Sequence, residues 1–188
     1  MSYRPISDVW WLARCKYKNS VKRYGGYLGG FPERARVLIG CPLDQPMLHV
    51  CGGMAKHYPY KRGFGINDRT MDLDEKCEPD ILHDCRLIAW PKGINLASPD
   101  FIYWGGILID PPYTEEDATK YSPGADKYPN PHQLVQTAIN TLRVGYKVGI
   151  IHYIVPRCPK NAMFVASIAV KCGFGNRVRT FNVFERTA

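Results

Sequence analysis

The sequence predicts an α/β fold, a single domain spanning residues 1–188 and built on a sheet open at its edges. Three observations predict it. Short apolar runs recur along the chain and stop abruptly at glycines or acids, as buried strands do. One segment, residues 132–145, places its apolar residues at helical spacing. Strands mixed with helical crossovers belong to α/β layers. A chain of 188 residues can bury one sizeable core, and no internal repeat or linker divides it.

Taken in order, residues 1–36 read as a basic and aromatic leader. Arg14, Lys16, Lys18, Lys22, Arg23, Arg34 and Arg36 are interleaved there with Tyr17, Tyr24, Tyr27 and Phe31. Its glycine-rich part, "RYGGYLGGFPER", is too permissive for a strand interior. Residues 33–40 suit a short helix. "PMLHVC" (46–51) is a buried strand stopped by Gly52 and Gly53. "RTMDLD" (69–74) is a second strand that ends in acids, and "PDILHDC" (79–85) a third short segment. "FIYWGGILID" (101–110) reads as one strand that ends at Asp110. Residues 114–132 are a polar, proline-broken loop, long for a compact domain and of the kind that forms functional lids. In residues 132–145 the apolar positions 134, 135, 138, 139 and 142 share a helical face, and Gly145 is the stop. Residues 146–155 are another strand, and residues 162–170 and 177–185 a terminal hairpin with Gly173 and Gly175 in its turn.

Seven cysteines, an odd number with no C-x-x-C pair, indicate neither a disulfide framework nor a zinc site, so reduced thiols are expected. Cys77, His83 and Cys85 lie close in sequence without the two-pair spacing of zinc sites, and no metal is expected. No apolar run approaches a membrane span, and the first residues lack the apolar core of a signal peptide. A soluble, cytoplasmic protein is the expectation, with no membrane partner. The net charge of +8 draws phosphate-rich partners, and basic residues among aromatics suit a nucleic-acid surface.

In open α/β sheets ligands bind beyond the carboxyl ends of the strands. The unusual residues of this sequence fall there: Gly52 and Gly53, Asp72 and Asp74, Asp84, and Asp110. The last of these opens Asp110-Pro111-Pro112-Tyr113. The two prolines supply carbonyls and no N–H, so the loop presents acceptors. Tyr113 adds a flat face. Acceptors beside an aromatic plane suit a planar ring that carries an amino group. Its hydrogens would bond to the Asp110 carboxylate and the Pro111 carbonyl, leaving the nitrogen lone pair aimed at an electrophile.

Asp-Pro-Pro-Tyr at a strand end resembles the catalytic motif of S-adenosylmethionine-dependent amino-methyltransferases, above all those acting on adenine N6. "LHVCGG" (48–53), with His49, Cys51, Gly52 and Gly53, is similar to the first-strand glycine motif of that family. "MDLD" resembles its second-strand acid, which holds the ribose hydroxyls of the cofactor; Asp72 is the first choice and Asp74 the second. "HDC" resembles the third-strand acid, with Asp84 accepting from the adenine amino group. "RYGGYLGGF", with Tyr24, Gly25 and Gly26, resembles the N-terminal glycine loop. The sequence departs from the family where His49 stands in place of an acid and Ala55 in place of a second glycine. The resemblance implies S-adenosylmethionine as cofactor. It also implies a Rossmann-like seven-stranded sheet with helices on both faces and an antiparallel last strand. Asp110, Pro111, Pro112 and Tyr113 are its catalytic residues.

The family's DNA enzymes usually carry a separate recognition region, for which this sequence has room only in residues 114–132. Lys120, Tyr121, Lys127 and Tyr128 are the nucleic-acid contacts expected there. Methyl transfer to an exocyclic nucleobase amine, adenine N6 in DNA foremost, is the expected activity, with RNA as the other nucleic-acid substrate. Guanine N2 of ribosomal RNA, a protein glutamine amide, and an inactive nucleic-acid-binding or partner subunit of the same fold remain alternatives. A homodimer or a partner subunit is left open.

Overall fold

The computed structural model describes residues 4–13, 26–57, 62–95, 101–121, 128–173 and 177–188, with the backbone alone at residues 94, 95, 101, 120 and 121. Among them lie ten strands and three α-helices. In chain order they are β1 (Ile6–Trp11), α1 (Phe31–Ile39), β2 (Met47–Val50), β3 (Arg69–Asp72), β4 (Ile81–Leu82), β5 (Gly93–Asn95) and β6 (Phe101–Tyr103). They continue with β7 (Gly106–Ile109), α2 (Glu115–Tyr121), α3 (Pro131–Thr141), β8 (Lys147–His152), β9 (Ala162–Lys171) and β10 (Arg179–Arg186).

Eight strands form one sheet in the order β1-β9-β10-β8-β7-β2-β3-β4. Seven run parallel, and β10 lies antiparallel between β8 and β9. The chain builds outward from β2 through β3 to β4. It then returns to the other side of β2 with β7. The β2–β7 junction is therefore the switch point, where the crossovers diverge and a crevice opens at the carboxyl ends.

Side chains alternate across the sheet and bury two cores. Met47, Leu108, Ile151, Phe181 and Val183 pack with Phe31, Ala35 and Ile39 of α1. Leu48, Val50, Ile107, Ile109, Val148, Ile150 and Phe184 pack with Leu134, Val135, Ala138 and Ile139 of α3. One helix thus covers each face. α1 carries Pro32 in its first turn, where there is no N–H to leave unpaired. It ends at Gly40, whose left-handed φ of 72° lets its N–H reach back to Arg36 and Val37. α3 starts at Asn130, whose side chain accepts from the His132 N–H, and it ends at Thr141, before Gly145.

Three sequence expectations are corrected. The sheet has eight strands, not seven, because residues 6–11 of the leader form β1 parallel to β9. Residues 101–110 are two strands. Trp104 is 1% exposed and its indole N–H donates to the Pro91 carbonyl, while the Gly105 N–H bonds to the Pro46 carbonyl. These contacts end β6, which pairs antiparallel with β5 outside the main sheet, and β7 begins at Gly106. A Cβ at Gly106 would stand 2.5 Å from the Ile39 side chain, so α1 seats itself against bare backbone there. Residues 114–132 are not loop throughout, since they contain α2 and the start of α3. The third short segment agrees with the sequence: it is a strand of only Ile81 and Leu82.

Candidate active site at the sheet switch point

β2 and β7 pair in parallel, and the Asp110 N–H donates to the Val50 carbonyl at 3.1 Å. That bond sets the start of the Asp110 loop beside the turn that follows β2. The backbone turns sharply there: Cys51 has a φ of 53° and Gly53 one of 48°. Gly52 lies close against the strand, where a Cβ would meet the His49 carbonyl at 3.0 Å and the Thr70 methyl at 3.1 Å. The Gly53 N–H donates to Asp72 Oδ2 at 2.8 Å, and the Asp74 N–H to Asp72 Oδ1 at 3.0 Å. Burial raises the Asp72 carboxyl above its ordinary value against these N–H groups. Asp74 instead caps the short turn Glu75–Cys77, accepting from the Lys76 N–H.

Beyond β4, Asp84 is held by Arg86. The guanidinium donates to both carboxylate oxygens at 2.7 to 3.0 Å, and the Arg86 N–H adds a bond of 2.9 Å. The Arg86 side chain holds Asp84 below the usual carboxylate range. A cavity of about 120 Å³ opens beside this pair, lined by Cys85, Arg86, Tyr128, Asn130, Gln133 and Thr137 among others. The Cys51 thiol lies 3.4 Å from Cys85 Sγ, which ties the turn after β2 to the segment after β4.

At the centre, Tyr113 donates its hydroxyl to Asp110 Oδ1 at 2.5 Å. Burial pushes the Asp110 carboxyl up to about 6, with the Tyr113 hydroxyl and the Arg179 charge pulling the other way. The Arg179 guanidinium lies 4.9 Å from the centroid of the Tyr113 ring, a cation–π distance. The Tyr153 ring sits 4.9 Å away and the His152 ring 5.6 Å away, edge-on. Burial, and the neighbouring His132, bring His152 down to about 4, so it is neutral. Its Nδ1 accepts from the Ile154 N–H, which places the proton on Nε2, facing the Tyr128 hydroxyl. The Tyr128 hydroxyl in turn donates a hydrogen bond to the Tyr113 carbonyl at 3.2 Å. This chain braces the loop that carries Tyr113 against β8.

The carboxyl edge thus gathers Cys51, Gly52, Gly53, Asp72, Asp84, Asp110, Pro111, Pro112 and Tyr113. His49 stands apart. Its ring is fully buried on the α1 face, stacked on Phe64 at 4.5 Å and bonded to the Tyr27 hydroxyl and to Asp68. Asp68 also pairs with Arg36 and accepts the Met47 and Gly65 N–H groups. Gly26 is half-buried just before Tyr27. Tyr128 is turned inward by its two hydroxyl bonds. Lys120 and Tyr121 lie in the last turn of α2. Tyr24, Gly25 and Lys127 lie outside the described residues.

Sequence reasoning missed Arg179, Tyr153 and Arg86 as neighbours of the site. Arg179 is 69 positions from Asp110, and only the antiparallel insertion of β10 brings its amino end to this edge. Arg86 had a local signal, a basic residue two positions after the acid it pairs with.

No protein-family model matches the sequence, and no curated protein matches it. Solved structures do resemble it. TrmN from Thermus thermophilus superposes with a TM-score of 0.57 at 14% identity, over 85% of this chain and 49% of that one. HI0767 from Haemophilus influenzae, assigned as a methylase, gives 0.50 at 9% identity, over 84% and 88%. The chain spans about half the length of TrmN. At such identities the likeness speaks of architecture alone. With the strand order above, it gives this chain the Rossmann-like class I methyltransferase fold, extended by one edge strand.

Proposed function

We propose that the protein transfers a methyl group from S-adenosylmethionine to an exocyclic amine of a nucleobase, adenine N6 in DNA foremost. The observation that carries this reading is the position of Asp110, Pro111, Pro112 and Tyr113 at the β2–β7 switch point, one hydrogen bond from the glycine turn. The residues present fit the cofactor. Gly52 and Gly53 leave bare backbone at the crevice, Asp72 offers a carboxylate for hydroxyl groups, and the cavity beside Asp84 is open to a flat ring. S-adenosylmethionine would supply an electrophilic methyl group on a sulfonium.

The chain's own residues would orient the amine. Asp110 and the Pro111 carbonyl accept its two hydrogens, and positioning of this kind supplies much of the rate. With its carboxyl near 6, Asp110 is ionised at neutral pH yet basic enough to take the proton that the methylated nitrogen loses. A base stacked on Tyr113 uses the ring face opposite Arg179, or displaces that guanidinium. Flipping a base from a duplex costs about a few kcal/mol, which a single strand avoids. One observation favours a second reading, an inactive nucleic-acid-binding or partner subunit: Arg86 already occupies both oxygens of Asp84.

Calorimetric titration of S-adenosylmethionine into the protein and into Asp72→Ala, then transfer assays on duplex DNA, single strands and RNA, test the proposal. Saturable binding weakened by Asp72→Ala is expected. So is methyl transfer that Asp110→Ala abolishes while cofactor binding survives. Well-folded protein that binds no cofactor overturns the enzyme reading, and turnover retained in Asp110→Ala overturns the mechanism.

A further inference from the structure

The net charge of the chain is confined to one part of it. Residues 1–126 carry sixteen acids and sixteen basic residues, whereas residues 127–188 carry nine basic residues and a single acid, Glu185. The whole +8 therefore lies in the segment that forms α3 and β8 to β10. Glu185 is paired with Lys147 at the amino end of β8, the edge away from Asp110. Asp72 and Asp84 share the carboxyl edge with Asp110, and their oxygens already accept from backbone N–H groups and from Arg86. β10 is antiparallel, so its amino end reaches that edge and delivers Arg177 and Arg179. Lys171 ends β9 on the same edge, but its ammonium lies 5.3 Å from the Trp11 ring centroid, on the sheet face opposite Arg179, which pairs with Val170. The cations interleave with rings. Arg179 lies over Tyr113, Tyr113 against Tyr153, and the exposed Arg177 lies 5.7 Å from the Tyr153 ring centroid. A row of aromatic faces and positive charge leads outward from the candidate catalytic carboxylate.

We propose that this mouth, formed by Tyr153, Arg177 and Arg179, holds a single-stranded nucleic acid. A phosphate lies on Arg177, and the base beside the target stacks on Tyr153. The inference rests on the reading that the target amine is brought to Asp110. Stackable rings beside a cationic track suit unpaired bases, which offer their faces whatever their sequence. Arg177, exposed at the surface, can leave the Tyr153 ring for a phosphate and yield that face to a base. Arg179 remains as the inner end of the track, over the Tyr113 ring.

Fluorescence anisotropy of labelled single-stranded DNA, RNA of the same sequence and the matching duplex, measured without cofactor over a range of salt, tests this. Each lost phosphate contact lowers the log–log salt slope for a single strand by about 0.7. Arg177→Glu should bind at least threefold more weakly, with a slope lower by about 0.7. Lys160→Glu, the same charge change just before the amino end of β9, should leave the slope unchanged. Tyr153→Leu should weaken binding of the base-bearing strand and not of an abasic one. Preference between DNA and RNA identifies the source of the strand. Equal effects of the mouth and Lys160 variants, or tighter binding of the duplex, overturn the proposal. A protein that binds strands here yet transfers no methyl group overturns the proposed activity alone. Transfer with strand binding unaltered in the mouth variants overturns this inference alone.

Discussion

Asp110→Asn should stabilise the protein while abolishing transfer, and the stabilisation should depend on pH in a defined window. The wild-type carboxyl moves from 3.8 to about 6 on folding, driven by burial. Its folded value is raised, so the native state holds the proton more tightly than the unfolded state does. Below about pH 4 both states are protonated and burial of the group costs little. As pH rises through 4 to 6 the native state must give up a proton it favours, and stability falls by roughly 3 kcal/mol. Asparagine does not titrate, and its side-chain oxygen can still accept from the Tyr113 hydroxyl. Allowing for the weaker bond to a neutral acceptor, the variant should gain about 2 kcal/mol above pH 7, or roughly 4 to 8 °C in Tm for a chain of this size. Denaturant unfolding or calorimetry from pH 4 to pH 8 reads the difference. A gap that does not widen between pH 4 and pH 6, or a variant less stable than wild type at pH 8, refutes the reasoning.

Tyr113→Phe removes the hydroxyl that restrains the Asp110 carboxyl, so the acid limb of the pH–rate profile should move to higher pH; an unmoved limb separates Asp110 from the limb. Asp68→Ala should cost about 3 to 5 kcal/mol in denaturant unfolding, because it strands the buried Arg36 guanidinium together with the Met47 and Gly65 N–H groups; a loss below about 1 kcal/mol contradicts that network. Burial pushes Asp68 up, but His49 and Arg36 outweigh it and hold it low. Its contribution is therefore present above the ordinary carboxylate range and lost on acidification through its lower folded value. Gly52→Ala would set a methyl 3.0 Å from the His49 carbonyl, and should cost about 1 to 3 kcal/mol of stability with at least a tenfold loss in cofactor affinity. Calorimetric titration alongside unfolding checks both, and wild-type values in either would show the turn to be slack.

The strand ends were legible because the runs that lead into them are apolar on both faces and stop at groups no core accepts. "ILI" buries completely on two cores and meets Asp110 at once. β1 was not legible. Of its six residues only Trp10 is buried, so an edge strand exposed along most of its length left no alternation to read. The run from 101 to 110 misled for the opposite reason: continuous hydrophobicity cannot show that Trp104 turns inward and that bare backbone at Gly105 and Gly106 is needed under Gln45 and α1. α2 carried a signal in its three leading acids, Glu115, Glu116 and Asp117, which favour a helix N-terminus, but the prolines on either side outweighed it in the reading. His49 with Asp68, and Arg179 with Tyr113, are pairings across 19 and 66 positions. They follow from topology, and no local pattern announces them.

The acids of the carboxyl edge are not equivalent once their partners are counted. Asp72 is bonded to two backbone N–H groups, Asp74 caps its own turn, and Asp84 is locked to Arg86. Each holds loop geometry in a sheet with few covering helices. Among the described residues the crossovers from β2 to β3, β3 to β4 and β8 to β9 contain no α-helix, so side-chain bonds do the work a packed helix would do. A ligand hydroxyl or amine reaching Asp72 or Asp84 shares the carboxylate with an existing donor, so it gains less there than at a carboxylate with fewer donors. Asp110 differs. Burial raises it to about 6, and among the described residues it has a single side-chain donor in Tyr113, with a cation held one ring away. A buried, under-bonded carboxylate gains most from an incoming N–H donor, because that donor replaces hydration the fold has removed. On this accounting the three outer acids shape the crevice, and the energetic reason to bind an amine is concentrated at Asp110.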